Sequence, residues 1–382
     1  MDNERILLLY LNTGSGHITP ARILAGALES QGNVKAFLEN GFSSGQYFAR
    51  SLFEQGYHFS SMYARSCYSL FYDINTIPPF LKLTTALVNW HTAPYIEHLI
   101  RKHRITRIVC MHFALAPAAW HAVQQVNPGI PFFVIVTDPF TAHPSWFIVK
   151  RARYIVFSQE LRQKILRDYG IRDCTVFPFI LKPEFRGIQG AGHVSGSRNN
   201  QAFSVLIAGG GEGLPDMVPL VRYFLKQAAR DERPAFKFTA VCGRNSGAHR
   251  RIAGLCRRFP GAALTVHGYV RNMPELLSQA DCVITKAGAS LIMEALAYRK
   301  PIIISTFIHG QELGNVRFVV QNSAGWFIQK PEGIYRKISE LSDNPAYRQA
   351  VVRNIAALDI RPDLEKICGY VLGDFQCPTQ ER

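Results

Sequence analysis

Between Thr285 and Glu312 the sequence sets out groups suited to holding a nucleotide and a sugar. A short apolar run, Asp281-Cys282-Val283-Ile284-Thr285, leads into Lys286-Ala287-Gly288-Ala289-Ser290, a small-residue turn that opens a helix. Backbone N–H groups at a helix start donate to phosphate oxygens, and in a parallel sheet that start lies at the carboxyl edge where ligands bind. Glu294 falls within two turns of the start, in reach of a ribose held there. Gln311 and Glu312 come off the next apolar strand, 302–305, and can hydrogen-bond sugar hydroxyls. The stretch predicts a nucleotide-sugar site.

A second set of reactive groups stands in the other half of the chain. His17 ends the glycine turn Gly14-Ser15-Gly16-His17, just past an apolar strand at 6–11. Its imidazole is expected to face the cleft at the sheet edge rather than a core. There it would take a proton from an acceptor hydroxyl, because its reference pKa of about 6.5 suits a base near neutral pH. The plainer alternative is a histidine that only hydrogen-bonds the turn backbone. His112, Asp138, His143 and Trp146 all follow strand-like runs and are expected at the same ligand-binding edge. Further on, Gly209-Gly210-Gly211-Glu212-Gly213 lets the backbone approach a diphosphate, and Arg244 is a candidate phosphate partner. Gly14-x-Gly16 is half of a dinucleotide fingerprint; Thr19 stands where its third glycine belongs, so hydride transfer is weakly supported.

The elements that must position these groups alternate strand and helix. The strand at 6–11, a helix with Thr19 as N-cap and Pro20 at its first position, and a strand at 34–38 open a doubly wound fold. The same pattern restarts at 203–208. Between the halves, 187–202 is low-complexity and rich in glycine and serine, which marks a linker. The expected organisation is α/β: an N-terminal domain at 1–186, the linker, and a C-terminal domain at 203–382 whose last helix is free to return to the first. The two Rossmann-like domains would face each other across a cleft. Residues 42–95 carry Tyr47, Phe48, Phe53, Tyr57, Phe59, Tyr63, Tyr68, Phe71 and Tyr72 with interspersed Arg50, Arg65 and Lys82. Helical spacing is expected for much of this segment. It reads either as a lipid-facing surface or as a helical excursion packed on its own domain.

Composition narrows the classes. The 382 residues, 47% apolar and 19% charged, suffice for two cores of ordinary size. A net charge of +15 spread over both halves, with no nucleic-acid motif, favours an anionic membrane surface or phosphate-bearing small molecules. The eight cysteines show no metal-ligand spacing, and Cys110, Cys242 and Cys282, in apolar strand-like runs, read as buried thiols in a reducing compartment. Two acids precede the first apolar run, unlike a signal peptide, and the uncharged stretch 108–137 is broken by Pro117 and Asn127-Pro128-Gly129. A cytoplasmic protein, peripherally associated with the membrane, is expected.

Taken together the motifs resemble the GT-B fold lipid glycosyltransferases of family 28. That group contains monogalactosyldiacylglycerol synthases, processive diacylglycerol glucosyltransferases and, more distantly, lipid II synthase. The resemblance rests on Thr13-Gly-Ser-Gly-His17, Thr137-Asp138, His143-Pro-x-Trp146-Phe147, 209–213, 242–245, Gly268-Tyr269-Val270, Thr285-Lys-Ala-Gly288, Glu294-Ala-Leu and Gly310-Gln311-Glu312-x-Gly314-Asn315. It implies inverting transfer of a hexose, galactose before glucose, from a UDP-sugar to the hydroxyl of diacylglycerol in an anionic membrane. His17 would be the general base. Glu294 would hold the ribose, Gln311 and Glu312 the sugar, and the backbone of Gly268, Tyr269 and Val270 the uracil. The 209–213 loop with Lys286, Gly288, Ala289 and Ser290 would stabilise the diphosphate. No metal and no cofactor are implied, because helix ends and basic side chains can take up the leaving-group charge. The chain departs from the family pattern at Ala289-Ser290 and at His309. Alternatives are another lipid or polyprenyl-linked acceptor, a non-catalytic lipid- or nucleotide-sugar-binding subunit and, with least support, a nucleotide-sugar epimerase.

Overall fold

The computed structural model describes residues 4–47, 50, 51, 53–56, 65–186, 202–230 and 236–374. Residues 187–201 of the expected linker lie outside the described residues, as do Phe48, Tyr57, Phe59, Tyr63, the tail after 374 and the side chains of Arg65, Tyr68 and Phe71. The chain groups into two compact units. The first comprises Met1–Lys182, Ile308–Gln311 and Pro362–Arg382; the second comprises Pro183–Phe307 and Glu312–Arg361.

The first unit is built on a six-stranded sheet in the order β2-β1-β3-β4-β5-β6. Its strands are β1 (Glu4–Tyr10), β2 (Val34–Asn40), β3 (Arg107–Cys110), β4 (Phe132–Ile135), β5 (Arg153–Val156) and β6 (Cys174–Val176), every pairing parallel. The helices are α1 (Ser15–Glu29), α2 (Arg65–Ile74), α3 (Pro78–His103), α4 (Ala116–Val126) and α5 (Gln159–Tyr169). Ile6, Leu7, Leu8 and Leu9 are all fully buried, as a strand covered on both faces requires. Such a strand reads as a continuous apolar run rather than an alternation.

The second unit repeats the plan in the order β12-β11-β10-β7-β8-β9. It contains β7 (Phe203–Ala208), α6 (Met217–Ala228), β8 (Phe236–Val241), α7 (Ser246–Arg258), β9 (Ala263–His267), α8 (Met273–Gln279), β10 (Cys282–Lys286) and α9 (Ala289–Ala297). It continues through β11 (Ile302–Thr306), α10 (Leu313–Gln321), β12 (Gly325–Phe327), α11 (Pro331–Asp343) and α12 (Pro345–Ala357). These strands also pair in parallel. The last helix, α13 (Leu364–Leu372), belongs to the first unit, where the Tyr370 ring packs near Phe133 and Phe177.

Strand order fixes where each sheet can bind something. In the first sheet the chain leaves β1 toward β2 and returns to β3 on the other side. In the second it leaves β7 toward β8 and β9 and returns to β10. Helices diverge at these two switch points and leave a crevice at the carboxyl ends of the strands. His17 follows β1 and Met111-His112 follows β3; 209–213 follows β7 and Lys286 ends β10.

Two expectations need correction here. Helix α1 begins at Ser15, not after Thr19, so Pro20 lies inside it. Gly14 caps the helix at φ 114° and ψ 175°, a conformation open to glycine, and turns the chain into helix ahead of Thr19. His17 therefore sits in the first helical turn. Helix α3 runs for 26 residues from Pro78-Pro79, and Arg101, Lys102 and His103 lie against its negative end. Its buried face carries Val88, Thr92, Ala93, Ile96, Leu99 and Ile100. On the opposite side Phe80, Leu83, Leu87 and Trp90, spaced for one helical face, are exposed, Trp90 by 74%. Among the described residues no helix is long and apolar enough to cross a membrane. Cys110, Cys242 and Cys282 are buried free thiols.

Candidate active site

At the switch point of the first unit, three successive strand ends converge on one imidazole. His17 Nδ1 lies 3.1 Å from the Met111 carbonyl beyond β3 and 2.7 Å from Thr137 Oγ1 beyond β4. A carbonyl only accepts, so Nδ1 carries the proton and Nε2 is left as the lone-pair nitrogen. Nothing among the described residues hydrogen-bonds to Nε2. The ring is 4% exposed, packed 4.5 Å from the His112 ring and 6.2 Å from Trp146, centroid to centroid. Burial pushes its pKa down to about 4, against a smaller upward pull from the Met111 carbonyl. His17 is thus neutral at physiological pH. The ring, expected at the sheet edge rather than in a core, is buried. The plainer alternative fails as well, since its partners are remote strand ends and not its own turn.

The surrounding polar groups hold fixed tautomers. His112 Nδ1 accepts from the Ala114 N–H at 3.2 Å, so Nε2–H donates to Thr13 Oγ1 at 3.1 Å. His143 Nδ1 accepts from the Ser145 N–H at 3.1 Å, leaving its Nε2–H for the Tyr72 carbonyl at 3.4 Å. Burial lowers the pKa of both rings, His143 to about 4. Trp146 is fully buried, and its indole N–H donates to Asp138 Oδ2 at 2.9 Å. Three of the four residues expected to line the edge are therefore built into the packing beneath it; Asp138 alone is partly exposed. Gln311, grouped with this unit, places its Nε2 3.2 Å from Asp138 Oδ1.

The site of the second unit is made largely of backbone. Gly209, Gly213 and Gly243 pack so closely that a Cβ on any of them would lie within 2.5 Å of backbone atoms of this same cluster. Gly213 and Gly243 also have φ of +80° and +60°. Gly211 accepts from the Arg244 N–H at 2.8 Å, which locks the glycine loop to the end of β8. The Arg244 side chain pairs with Glu212 at 3.0 Å and lies over the Tyr269 ring at 5.2 Å. It thereby ties the loop of Gly210, Gly211 and Glu212 to Gly268, Tyr269 and Val270.

At the end of β10 the register with β11 shifts between Thr285 and Lys286, re-aiming the lysine. Lys286 Nζ meets Glu312 Oε1 at 2.5 Å, and a Cβ on Gly288 would touch both side chains. The lysine expected to face diphosphate thus has a carboxylate partner. Gly288 caps α9, with Ala289 and Ser290 in its first turn and Glu294 one turn after Ser290 on the same face. Ser290 Oγ, Thr285 Oγ1 and Asn315 Oδ1 are buried side-chain atoms without a hydrogen-bond partner among the described residues. Asn315 Nδ2 donates to the Ala287 carbonyl at 2.7 Å, fastening α10 to the turn before α9. Native interiors rarely leave such groups unmet, and here three of them lie near one helix start.

Sequence reasoning did not single out Thr13, Thr137 or the Met111 carbonyl as partners of the histidines. A main-chain carbonyl has no sequence signature, and a threonine one residue before Asp138 is overshadowed by the carboxylate. Asn315 appeared only inside the Gly-Gln-Glu-x-Gly-Asn pattern; its distance from the α9 turn in sequence hid its contact. Among the described residues no group of three or more His, Cys, Asp or Glu is arranged to hold a metal ion.

Two parallel doubly wound sheets, each with a crevice at its switch point, define the GT-B fold. Solved structures agree on the fold. MurG of Acinetobacter baumannii superposes with a TM-score of 0.64 over 97% of this chain and 99% of its own, at 14% identity. The lipopolysaccharide glycosyltransferase WaaG gives 0.56 over 97% and 100%, at 12% identity. The family model described as monogalactosyldiacylglycerol (MGDG) synthase matches residues 17–180, and that of the glycosyltransferase family 28 C-terminal domain matches 204–361. The chain thus resembles the monogalactosyldiacylglycerol synthases over its first half and glycosyltransferase family 28 over its second. Probable monogalactosyldiacylglycerol synthase 2 of Oryza sativa subsp. japonica is 27% identical over 88% of this chain and 73% of its own. The synthase of Spinacia oleracea is 25% identical over 94% and 70%.

Proposed function

We propose that this protein is an inverting glycosyltransferase that moves a hexose, galactose in the first place, from a UDP-sugar to the free hydroxyl of diacylglycerol. The observation that carries the reading is the division of the chain between the two family models. The synthase model covers His17 and its partners, and the family 28 model covers the glycine loop, Lys286, Glu294 and Glu312. The names of the relatives supply the acceptor and the galactose.

In this reading His17 Nε2 takes the proton of the lipid hydroxyl as that oxygen attacks the anomeric carbon. The bond from the anomeric carbon to UDP breaks on the opposite side, so the configuration inverts and the proton rests on the imidazole. The electron pair leaves on the diphosphate. Backbone N–H groups of Gly288, Ala289 and Ser290 at the α9 start and those of 209–213 receive its charge, with Lys286 transferred from Glu312 to the phosphate. Glu294 holds the ribose, Gln311 and Glu312 bind sugar hydroxyls, and the backbone of Gly268, Tyr269 and Val270 reads the uracil. No resident metal and no cofactor enter the proposed scheme.

The acceptor is a lipid, so the reading includes a membrane surface. The outward row of Phe80, Leu83, Leu87 and Trp90 on α3 supports this, since a large unpartnered apolar face is costly in water and suits an interfacial helix. The +15 net charge adds attraction to anionic headgroups.

The test is incubation with diacylglycerol vesicles and, separately, UDP-galactose, UDP-glucose and UDP-N-acetylglucosamine, with the lipid products analysed. Monogalactosyldiacylglycerol is the expected product. Absence of hexose transfer to diacylglycerol from both UDP-galactose and UDP-glucose would overturn the proposal.

A further inference from the structure

We propose that Thr137 is a positioning residue for the transfer: together with the Met111 carbonyl it holds the His17 ring so that Nε2 presents the lone pair. The inference rests on the reading of His17 as the base. It starts from the order β1-β3-β4 in the first sheet, which brings the residues just beyond three neighbouring strands side by side. His17 comes from the first, Met111 from the second and Thr137 from the third.

Two oxygens therefore converge on one nitrogen, at 3.1 Å from Met111 and 2.7 Å from Thr137. With Nδ1 unprotonated, its lone pair would face that of the carbonyl, which cannot donate. With Nδ1 protonated, both oxygens accept. The hydroxyl of Thr137, 4% exposed, is thus recruited as the second acceptor of a shared N–H. Among the described residues no carboxylate hydrogen-bonds this nitrogen: Asp138, the residue after Thr137, receives the Trp146 indole N–H at 2.9 Å instead.

This matters at the moment of transfer. As Nε2 takes the proton, the ring becomes an imidazolium and its Nδ1–H becomes a charge-assisted donor. The hydrogen bond to Thr137 is then stronger in the transition state than in the resting enzyme, and only such a difference raises the rate. A neutral hydrogen bond that gains charge assistance is strengthened enough to change kcat by roughly fivefold to tenfold.

Thr137→Val keeps the shape and removes the acceptor. It is expected to lower kcat by about fivefold to tenfold with the KM for UDP-sugar unchanged, whereas Thr137→Ser should restore kcat to within about twofold of wild type. A Val variant at wild-type kcat, or a Ser variant as slow as the Val variant, overturns the proposal. Nitrogen NMR of the wild-type imidazole supplies a measurement independent of turnover and of how the variants fold. It should show a protonated Nδ1 and a pyridine-like Nε2 at neutral pH; the reverse tautomer overturns the proposal. Full activity in His17→Ala with the expected tautomer present would instead remove the base reading itself, so the two failures are distinguishable.

Discussion

At the scale of single residues, the chemistry depends on which atoms are committed and which are left. His17 spends Nδ1 on two oxygens and keeps Nε2, the arrangement a general base needs. His17→Ala should therefore lower kcat by about a hundredfold or more while UDP affinity by calorimetry stays as in wild type. Near-normal turnover would reduce the histidine to a packing element between His112 and Trp146. Lys286 and Glu312 make the opposite case, because each has spent its charge on the other at 2.5 Å. Replacing the carboxylate splits two roles that the pair superimposes. Glu312→Gln should weaken the complex with intact UDP-sugar, because a sugar partner is altered. The same change should tighten UDP alone by roughly threefold to tenfold, because Lys286 is released to the diphosphate. UDP affinity that stays level or falls in the variant sinks this account of the lysine.

At the scale of elements, what was legible in the sequence was the strand and the glycine turn; what was hidden was tertiary. The apolar runs of β1, β7 and β10 were readable because strands buried on both faces are continuous in sequence. The glycine loop at 209–213 was readable too, and the structure adds the cause, backbone packing that admits no Cβ. The start of α1 was misread because Thr19-Pro20 imitates a cap and a first position, whereas Gly14 at φ 114° admits the helix earlier. The burial of His112, His143 and Trp146 was invisible, since a residue after a strand lies at the sheet edge whether or not the next loop covers it. Helix α3 shows the converse. Its composition is apolar on two sides, so only the structure tells the packed face of Ile96 and Leu99 from the exposed face of Leu87 and Trp90. The exposed face is predicted to be the contact with lipid. Leu87→Ser with Trp90→Ser should lower binding to anionic diacylglycerol vesicles by about tenfold or more, while solution affinity for UDP is unchanged. Wild-type Trp90 fluorescence should shift to the blue on the same vesicles. Equal vesicle binding by the double variant would assign the face to another occupant, a second copy of the chain among them.

At the scale of the whole molecule, the two units are set apart by what they bury. The described histidines that are almost wholly buried, His17, His112 and His143, all lie in the first unit. Burial favours the neutral ring, so the folded pKa lies below the unfolded value of about 6.5 for all three, at about 4 for His17 and for His143. A lowered histidine pKa means that the unfolded chain binds the proton first. Stability is then complete above about pH 6.5 and is lost as the pH falls toward about 4. A difference of this size amounts to on the order of 3 kcal/mol for His17 alone, a large fraction of what holds a domain together. The units need not unfold together, so the loss should be read locally rather than from a single melting temperature. Hydrogen exchange at pH 7 and pH 5, corrected for the intrinsic rate, should show protection falling in β1, β3 and β4 and persisting in β7 and β10. His143→Gln should lessen that fall, because one proton fewer is taken up on unfolding. Protection in β1 and β3 that is the same at both pH values would mean that the buried rings accept protons within the fold. The neutral, preorganised base proposed for His17 would fail with it.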